Sequence, residues 1–265
     1  MKITAFVGSA RRAGATFAAT RQFLDNLQSF GDVQVEIVFL SDYTLGLCRG
    51  CKACFLRGEE RCPLKDDRDV LIEKMMASDG VVFASPNYSF QVSAIMKTFL
   101  DRLGFVFHRP CFHGRTFTSI VAQGIHGGGK IVKYLDFVGS GLGFNVVKGN
   151  CITALEPMTE KQRRKIAEVS ARHAKRFHDQ LLRPPYPRPS IFQLMIFRMG
   201  RTSIRQMLDA DKRDHAYYRA QGWFESPYYY PARLGLLKTA LGAAFDWMAS
   251  RIFKPRVFKP GSEAA

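Results

Sequence analysis

No uninterrupted apolar stretch in this chain of 265 residues reaches the roughly 18 that a membrane-spanning helix needs. The first residues hold no basic segment followed by a cleavable apolar one, so a cytoplasmic location is the expectation. Acidic residues are scarce: 23 Asp and Glu stand against 39 Lys and Arg, a formal net charge of +16. Such a surface attracts anions, among them acidic proteins, phosphorylated cofactors and anionic lipid, or else is simply solvated. The sequence contains no zinc-finger, helix-turn-helix or RNP-type motif, which argues against nucleic acid as the partner. No internal repeat is present. Apolar residues make up 46 %, enough for a substantial core, which excludes global disorder. Cysteine is sparse, six in all, yet four lie between positions 48 and 62. Disulfides are rare in cytosolic proteins, so a tight cysteine group reads first as a metal or cluster site.

The periodicities alternate. Residues 2–7 read as a short buried strand, 16–30 as a helix, 33–40 as a β-branched strand, and 42–66 show no clear period. Asp66 is placed to N-cap a helix ending near residue 77, with Asp69 as its capping-box partner. Strands are expected at 79–85, 116–123 and 144–154, with helices at 92–103, 130–139 and 159–182. Strand–helix alternation implies right-handed crossovers and a parallel sheet covered on both faces. Five such units fit a flavodoxin-like, doubly wound α/β fold of strand order 2-1-3-4-5. Ligands of such sheets bind beyond the carboxyl ends of the strands, so the loops after strands one, three and four are where chemistry is expected. Four prolines among residues 184–189 form a stiff linker. The expected division is therefore a flavodoxin-like domain over 1–182 and a mostly helical extension over 183–265.

The first of those loops runs from Gly8 to Thr16 and opens a helix. A phosphate there would meet backbone N–H groups at the positive end of the helix dipole, at Gly14 and Ala15 among others. Ser9 and Thr16 offer hydroxyls, and Arg11 offers charge. The loop lacks the Gly-Lys-Ser/Thr of a Walker A motif and is not GxGxxG. The alternative is an ordinary βα turn with Ser and Thr as caps.

The pattern Gly8-Ser9-x-Arg11-x-x-Gly14-x-Thr16, then Ser85-Pro86-Asn87-Tyr88, then Lys97-x-x-x-Asp101-Arg102, resembles the NADPH-dependent FMN reductase branch of the flavodoxin-like superfamily. The likeness covers roughly residues 1–180. It implies FMN with its phosphate on Ser9, Arg11 and Thr16, and its ring against Pro86, Asn87 and Tyr88 and against Ala122, Gln123 and Gly124. Tyr88 offers an aromatic face to such a ring. Lys97 and Asp101 fit an i,i+4 surface pair better than a catalytic role, and His126 fits a solvated loop position.

Cys48-x2-Cys51-x2-Cys54-x7-Cys62-Pro63 is the sharpest motif. Three-residue spacing lets a compact loop turn its sulfurs toward one centre, and the run echoes ferredoxin ligation except for its last gap. On a flavodoxin-like chain it resembles the iron-sulfur flavoproteins. That resemblance implies a [4Fe–4S] cluster on Cys48, Cys51, Cys54 and Cys62, beside FMN. Structural zinc and free thiols are the competing readings. Cys111 stands alone, and Cys151 reads as a buried strand thiol.

The extension holds an apolar run at 191–197 and an aromatic group at 217–230. Its last helix, about 234–253, is amphipathic with Arg233, Lys238, Arg251 and Lys254 at its ends. Packing on its own domain or on a second copy is favoured over peripheral contact with a membrane surface. The functional expectation is a cytoplasmic, homo-oligomeric FMN oxidoreductase. It would take electrons from NAD(P)H or a ferredoxin-like protein and pass them to a small acceptor such as a quinone. The alternatives are an electron carrier with no substrate of its own and a non-catalytic docking protein.

Overall fold

The computed structural model describes residues 1–155 and 157–253. They form two compact units: residues 1–50 with 63–185, and residues 51–62 with the chain from 186 onward.

In the first unit, β1 (Lys2–Val7) leads into α1 (Ala15–Gln28) and β2 (Gln34–Phe39). After the cysteine-bearing segment, whose short α2 (Ala53–Leu56) belongs to the second unit, come α3 (Arg68–Met76), β3 (Gly80–Pro86), α4 (Ala94–Arg102) and α5 (Gly104–His108). Then follow β4 (Thr116–Gln123), α6 (Gly128–Gly141), β5 (Asn145–Val146), β6 (Asn150–Thr153) and α7 (Glu160–Leu181). All strand pairs are parallel, in the order β2-β1-β3-β4-β5, with β6 also on β4. This is the flavodoxin-like order expected from the sequence.

The expected fifth strand is split. Between the pairs Phe117↔Val146 and Ile120↔Asn150, three residues face two, which is a bulge. Gly149 permits it. A Cβ there would stand 2.0 Å from Ser119 Oγ and 2.6 Å from Ser119 O, and its N–H donates to Asp136 Oδ2 at 3.1 Å.

β3 is buried along its whole length, as a central parallel strand must be, and so reads as an apolar run. On one face Ile3, Ala5 and Val7 pack with Phe23, Leu24 and Leu27 of α1 and Ala174 and Phe177 of α7. On the other, Phe6 stacks on Phe99 of α4, and Phe83 meets Phe117 edge-on.

Asp66 does not cap α3. The cap residue is Asp67, without a side-chain capping bond, and Asp69 pairs with the Arg68 guanidinium instead of closing a capping box. Asp66 is drawn away by Arg102, 36 positions later.

Two histidines are held neutral in this unit. Burial pushes His173 down to about 3 and His113 down to about 4. His173 shares a 2.7 Å hydrogen bond with Thr118 Oγ1 and packs on Phe23. Both fold with depressed values, so their stability contribution is complete above the ordinary histidine value of about 6.5 and is lost as pH falls toward the folded values. Each is expected to lower the folding constant about tenfold per pH unit across that window. Urea unfolding between pH 7 and pH 4 checks this. Paired His113→Gln and His173→Gln substitutions should flatten the dependence.

The second unit is built by α8 (Ile191–Met207), α9 (Arg213–Ala220) and α10 (Gly235–Ile252) around Leu194, Phe197, Tyr218, Trp223, Phe224 and Tyr228. Asp246 of α10 accepts from Arg198, Arg201 and Thr202 of α8, which locks the two helices together. Arg213 of α9 holds Glu59 of the cysteine segment at 3.0 Å. The last helix begins and ends one residue inside the expected bounds, and Lys254 lies outside the described residues. Among the described residues, no helix is long and apolar enough to cross a membrane.

Candidate FMN site

The structure brings together the three loops that the fold nominates. Gly8 N–H donates to Ala84 O at 2.8 Å, and Asn87 N–H donates to Ala122 O at 2.8 Å. Ser93, which caps α4, donates from its hydroxyl to Gly8 O. The Asn87 side-chain N–H donates to His126 O at 2.8 Å. The loops after β1, β3 and β4 therefore share one hydrogen-bonded edge. The expected helix at 92–103 places Ser93 inside it, whereas the serine is the cap that starts α4.

The phosphate loop has the features an anion requires. Gly14 is the N-cap of α1, so no side chain caps the helix, and the first turn has no acidic residue. The N–H groups of Ala15, Thr16 and Phe17 therefore have no intrahelical acceptor. Ser9 is buried, and its Oγ accepts from Arg11 N at 3.3 Å, which leaves its O–H free to donate. Thr16 is buried as well. Of the two neighbouring arginines, Arg12 is engaged: it pairs with Asp42 at 2.5 Å and lies over the Phe39 ring. Arg11 is exposed and takes part in none of the ion pairs of the described residues, so its charge is available to a ligand.

The other residues expected to border a flavin lie on the same edge. Pro86 ends β3, Ala122 is buried in β4, and Gln123 closes β4 with its side-chain oxygen 2.6 Å from Gly128 N. Tyr88 and Gly124 are exposed. Asn87 Oδ1 is buried and has no hydrogen-bond partner. Its orientation is settled, because the amide nitrogen is committed to His126 O. A buried acceptor left open costs free energy unless a donor arrives, and the N–H edge of a flavin is such a donor. The residues present thus fit FMN.

Of the four motif cysteines, Cys48 and Cys51 are exposed, Cys54 is half-buried and Cys62 is buried. Among the described residues, no three His, Cys, Asp or Glu side chains stand ready to hold a metal ion. Cys151 is half-buried rather than buried, and burial raises its thiol pKa. Lys97 and Asp101 form an exposed i,i+4 ion pair. Arg102 is buried on Asp66.

A flavodoxin-like sheet with an anion-ready first loop is the framework of an FMN-dependent oxidoreductase. The chain belongs to the NADPH-dependent FMN reductase family, whose profile matches residues 1–155, and its curated relatives are iron-sulfur flavoproteins. One such relative, from Archaeoglobus fulgidus, is 28 % identical over 84 % of this chain and the whole of its own length. Another, from Clostridioides difficile, is 30 % identical over 64 % of this chain and 76 % of its own. Among solved structures, RosB with bound 8-demethyl-8-formylriboflavin-5'-phosphate aligns over all of this chain and 95 % of its own, at a TM-score of 0.55 and 13 % identity. An NAD(P)H:quinone oxidoreductase from Methanothermobacter marburgensis aligns over 66 % of this chain and 98 % of its own, at 0.52 and 16 % identity. At those identities the structures share the fold alone.

Proposed function

We propose that this protein moves an electron pair from NAD(P)H to a small quinone-type acceptor, so that NAD(P)H, a proton and a quinone give NAD(P)⁺ and a hydroquinone. The observation that carries the reading is the uncapped, acid-free N-terminus of α1 with the unpaired Arg11 beside it. Ser9, Arg11, Gly14, Ala15 and Thr16 would hold the phosphate. Pro86, Asn87, Tyr88, Ala122, Gln123 and Gly124 would border the ring. When bound, FMN supplies a two-electron store that takes hydride from a nicotinamide and releases electrons singly or in pairs. This chain's part is to fix the group and order its surroundings. Asn87 accepts from a ligand donor through Oδ1, Tyr88 covers an apolar surface, and Ser93 ties the phosphate loop to α4.

The four cysteines and the relatives' names favour a second donor. Cys48, Cys51, Cys54 and Cys62 would hold a [4Fe–4S] cluster, which would supply single-electron transfer, and a ferredoxin-like protein would be the matching donor of single electrons. The partner of the α8–α10 pair would be a second copy of the chain, because Leu236, Leu237, Trp247 and Ile252 are exposed there. Peripheral contact with anionic lipid is the other use of that face, and a cytoplasmic location suits both.

The test is anaerobic turnover of NADPH and of NADH with a naphthoquinone by purified protein, alongside iron and sulfide assays and a solution mass. Hydroquinone formation that depends on added FMN is expected. About four irons per chain support the cluster, and flavin-dependent turnover without iron removes it. No turnover with either nicotinamide or with reduced ferredoxin rejects the proposed reaction.

A further inference from the structure

Tyr88 and Gln91 exchange two backbone hydrogen bonds, at 3.0 and 2.9 Å, around a two-residue turn. Both residues of that turn are left-handed: Ser89 has φ 49° and Phe90 has φ 62°. Turns of this shape favour Asn-Gly or Gly-Gly. A bulky residue held there is strained at a measurable cost. The cost is not offset by burial, because Phe90 is 69 % exposed. Closing the turn needs no ring at this position, and a glycine would serve it better.

The ring nevertheless has a defined place. It meets the His126 ring edge-on, with centroids 5.9 Å apart. Its Cδ1 stands 2.8 Å from where a Cβ on Gly127 (φ 97°) would lie, so a side chain at 127 would push the ring from this place. His126 is anchored by its own carbonyl to Asn87. Ile125, 82 % exposed, and Tyr88, 56 % exposed, belong to the same two loops. Residues 86–93 and 122–129 contain no Asp, Glu, Lys or Arg. The result is an uncharged, aromatic rim held out to solvent at the flavin-bordering edge, with one member kept there against its backbone preference.

We propose that Phe90, backed by His126, is the stacking platform that selects a neutral, planar aromatic acceptor, with fused-ring quinones as the substrate class. This rests on the FMN reading above. A flat apolar molecule gains from an aromatic face, and a highly charged acceptor gains nothing from a wall without counter-charge.

The experiment compares wild-type holoenzyme with Phe90→Gly and Phe90→Tyr. Menadione, a naphthoquinone, and ferricyanide, a charged acceptor that does not stack, are assayed in the same preparations. FMN affinity and the melting midpoint are measured alongside. In Phe90→Gly the ratio of kcat/KM for menadione to that for ferricyanide is expected to fall about five- to tenfold, mainly through KM. The melting midpoint should hold or rise as the strained turn relaxes. Phe90→Tyr should keep the wild-type ratio. An unchanged ratio in Phe90→Gly overturns the platform while leaving the FMN reading intact. Loss of FMN binding in that variant overturns it too, by placing Phe90 in the cofactor pocket. A wild-type protein that binds no FMN overturns the parent reading itself.

Discussion

Gly14→Asp is expected to weaken FMN binding at least about a hundredfold relative to Gly14→Ser. Gly14 has an extended backbone (φ −86°, ψ 166°), the usual conformation of a cap residue. A Cβ there meets Arg11 Cβ at 3.1 Å and Arg11 O at 3.3 Å, a crowding that both variants share. Both also supply an oxygen able to accept from the open N–H groups of the first turn, so both should stabilise the apo helix by roughly 0.3 kcal/mol, the modest advantage of a polar cap over glycine. They differ in charge. At about 4 Å and an effective dielectric near 20, two like unit charges repel by about 4 kcal/mol, and screening still leaves enough for a hundredfold loss of a phosphate ligand. Flavin titration of the two apo-proteins checks the affinity, and a thermal melt checks the apo stability. Equal FMN affinity in the two variants would show that the phosphate does not sit at this helix end.

Arg102→Ala is expected to destabilise the first unit by about 3–5 kcal/mol, the usual cost of leaving a buried charge without its partner. Asp66 and Arg102 are only 6 % and 3 % exposed in their side chains and meet at 2.9 Å. Asp66 also accepts from Gly46 N at 2.9 Å and Arg68 N at 3.3 Å. Next to it Asp67 N donates to Thr44 O, and Thr44 N donates to Asp67 Oδ2 at 2.7 Å. These bonds clamp the two ends of the cysteine-bearing segment together. Burial alone would raise the Asp66 pKa, but Arg102 and the two backbone donors outweigh it and hold the pKa below the usual carboxylate value.

The sign of the pH dependence follows. A depressed carboxylate contributes its full stability above the ordinary pKa of about 4 and loses it as pH falls through the folded value. Without Arg102 the Asp66 pKa rises, so protonation in the folded state relieves the buried charge and the cost of the substitution should shrink as pH falls. Urea unfolding at pH 7 and at pH 5 measures both effects, and a pH 7 cost below 1 kcal/mol would refute the clamp. Asp66→Asn with Arg102→Met removes both charges and should recover much of the loss.

The parts of the site that were legible in the sequence are those fixed by local chemistry. β4 matches its expected limits because it is rich in β-branched residues and is followed directly by a glycine-rich turn. The phosphate loop was visible because a Gly/Ser segment between such a strand and a helix has few other uses. The capping box of α8, Ser190 with Gln193, is equally local, yet the apolar run beside it drew no helix assignment. Other features depend on distant partners. Asp66 has the sequence context of a helix cap, and only the fold brings Arg102 to it. The break between β5 and β6 depends on Gly149 lying against Ser119 and Asp136. The left-handed Phe90 leaves no trace in composition, because the residue type argues against the conformation. Cys51 to Cys62 pack with the extension, a grouping that no single cut along the chain can express.

Titration of apo-protein with FMN, followed by quenching of flavin fluorescence, tests the central claim most directly. Saturation at one FMN per chain with submicromolar affinity is expected, weakened by Arg11→Glu and nearly abolished by Gly14→Asp. Free flavin fluorescence that persists at a fivefold excess of protein at micromolar concentration would contradict it.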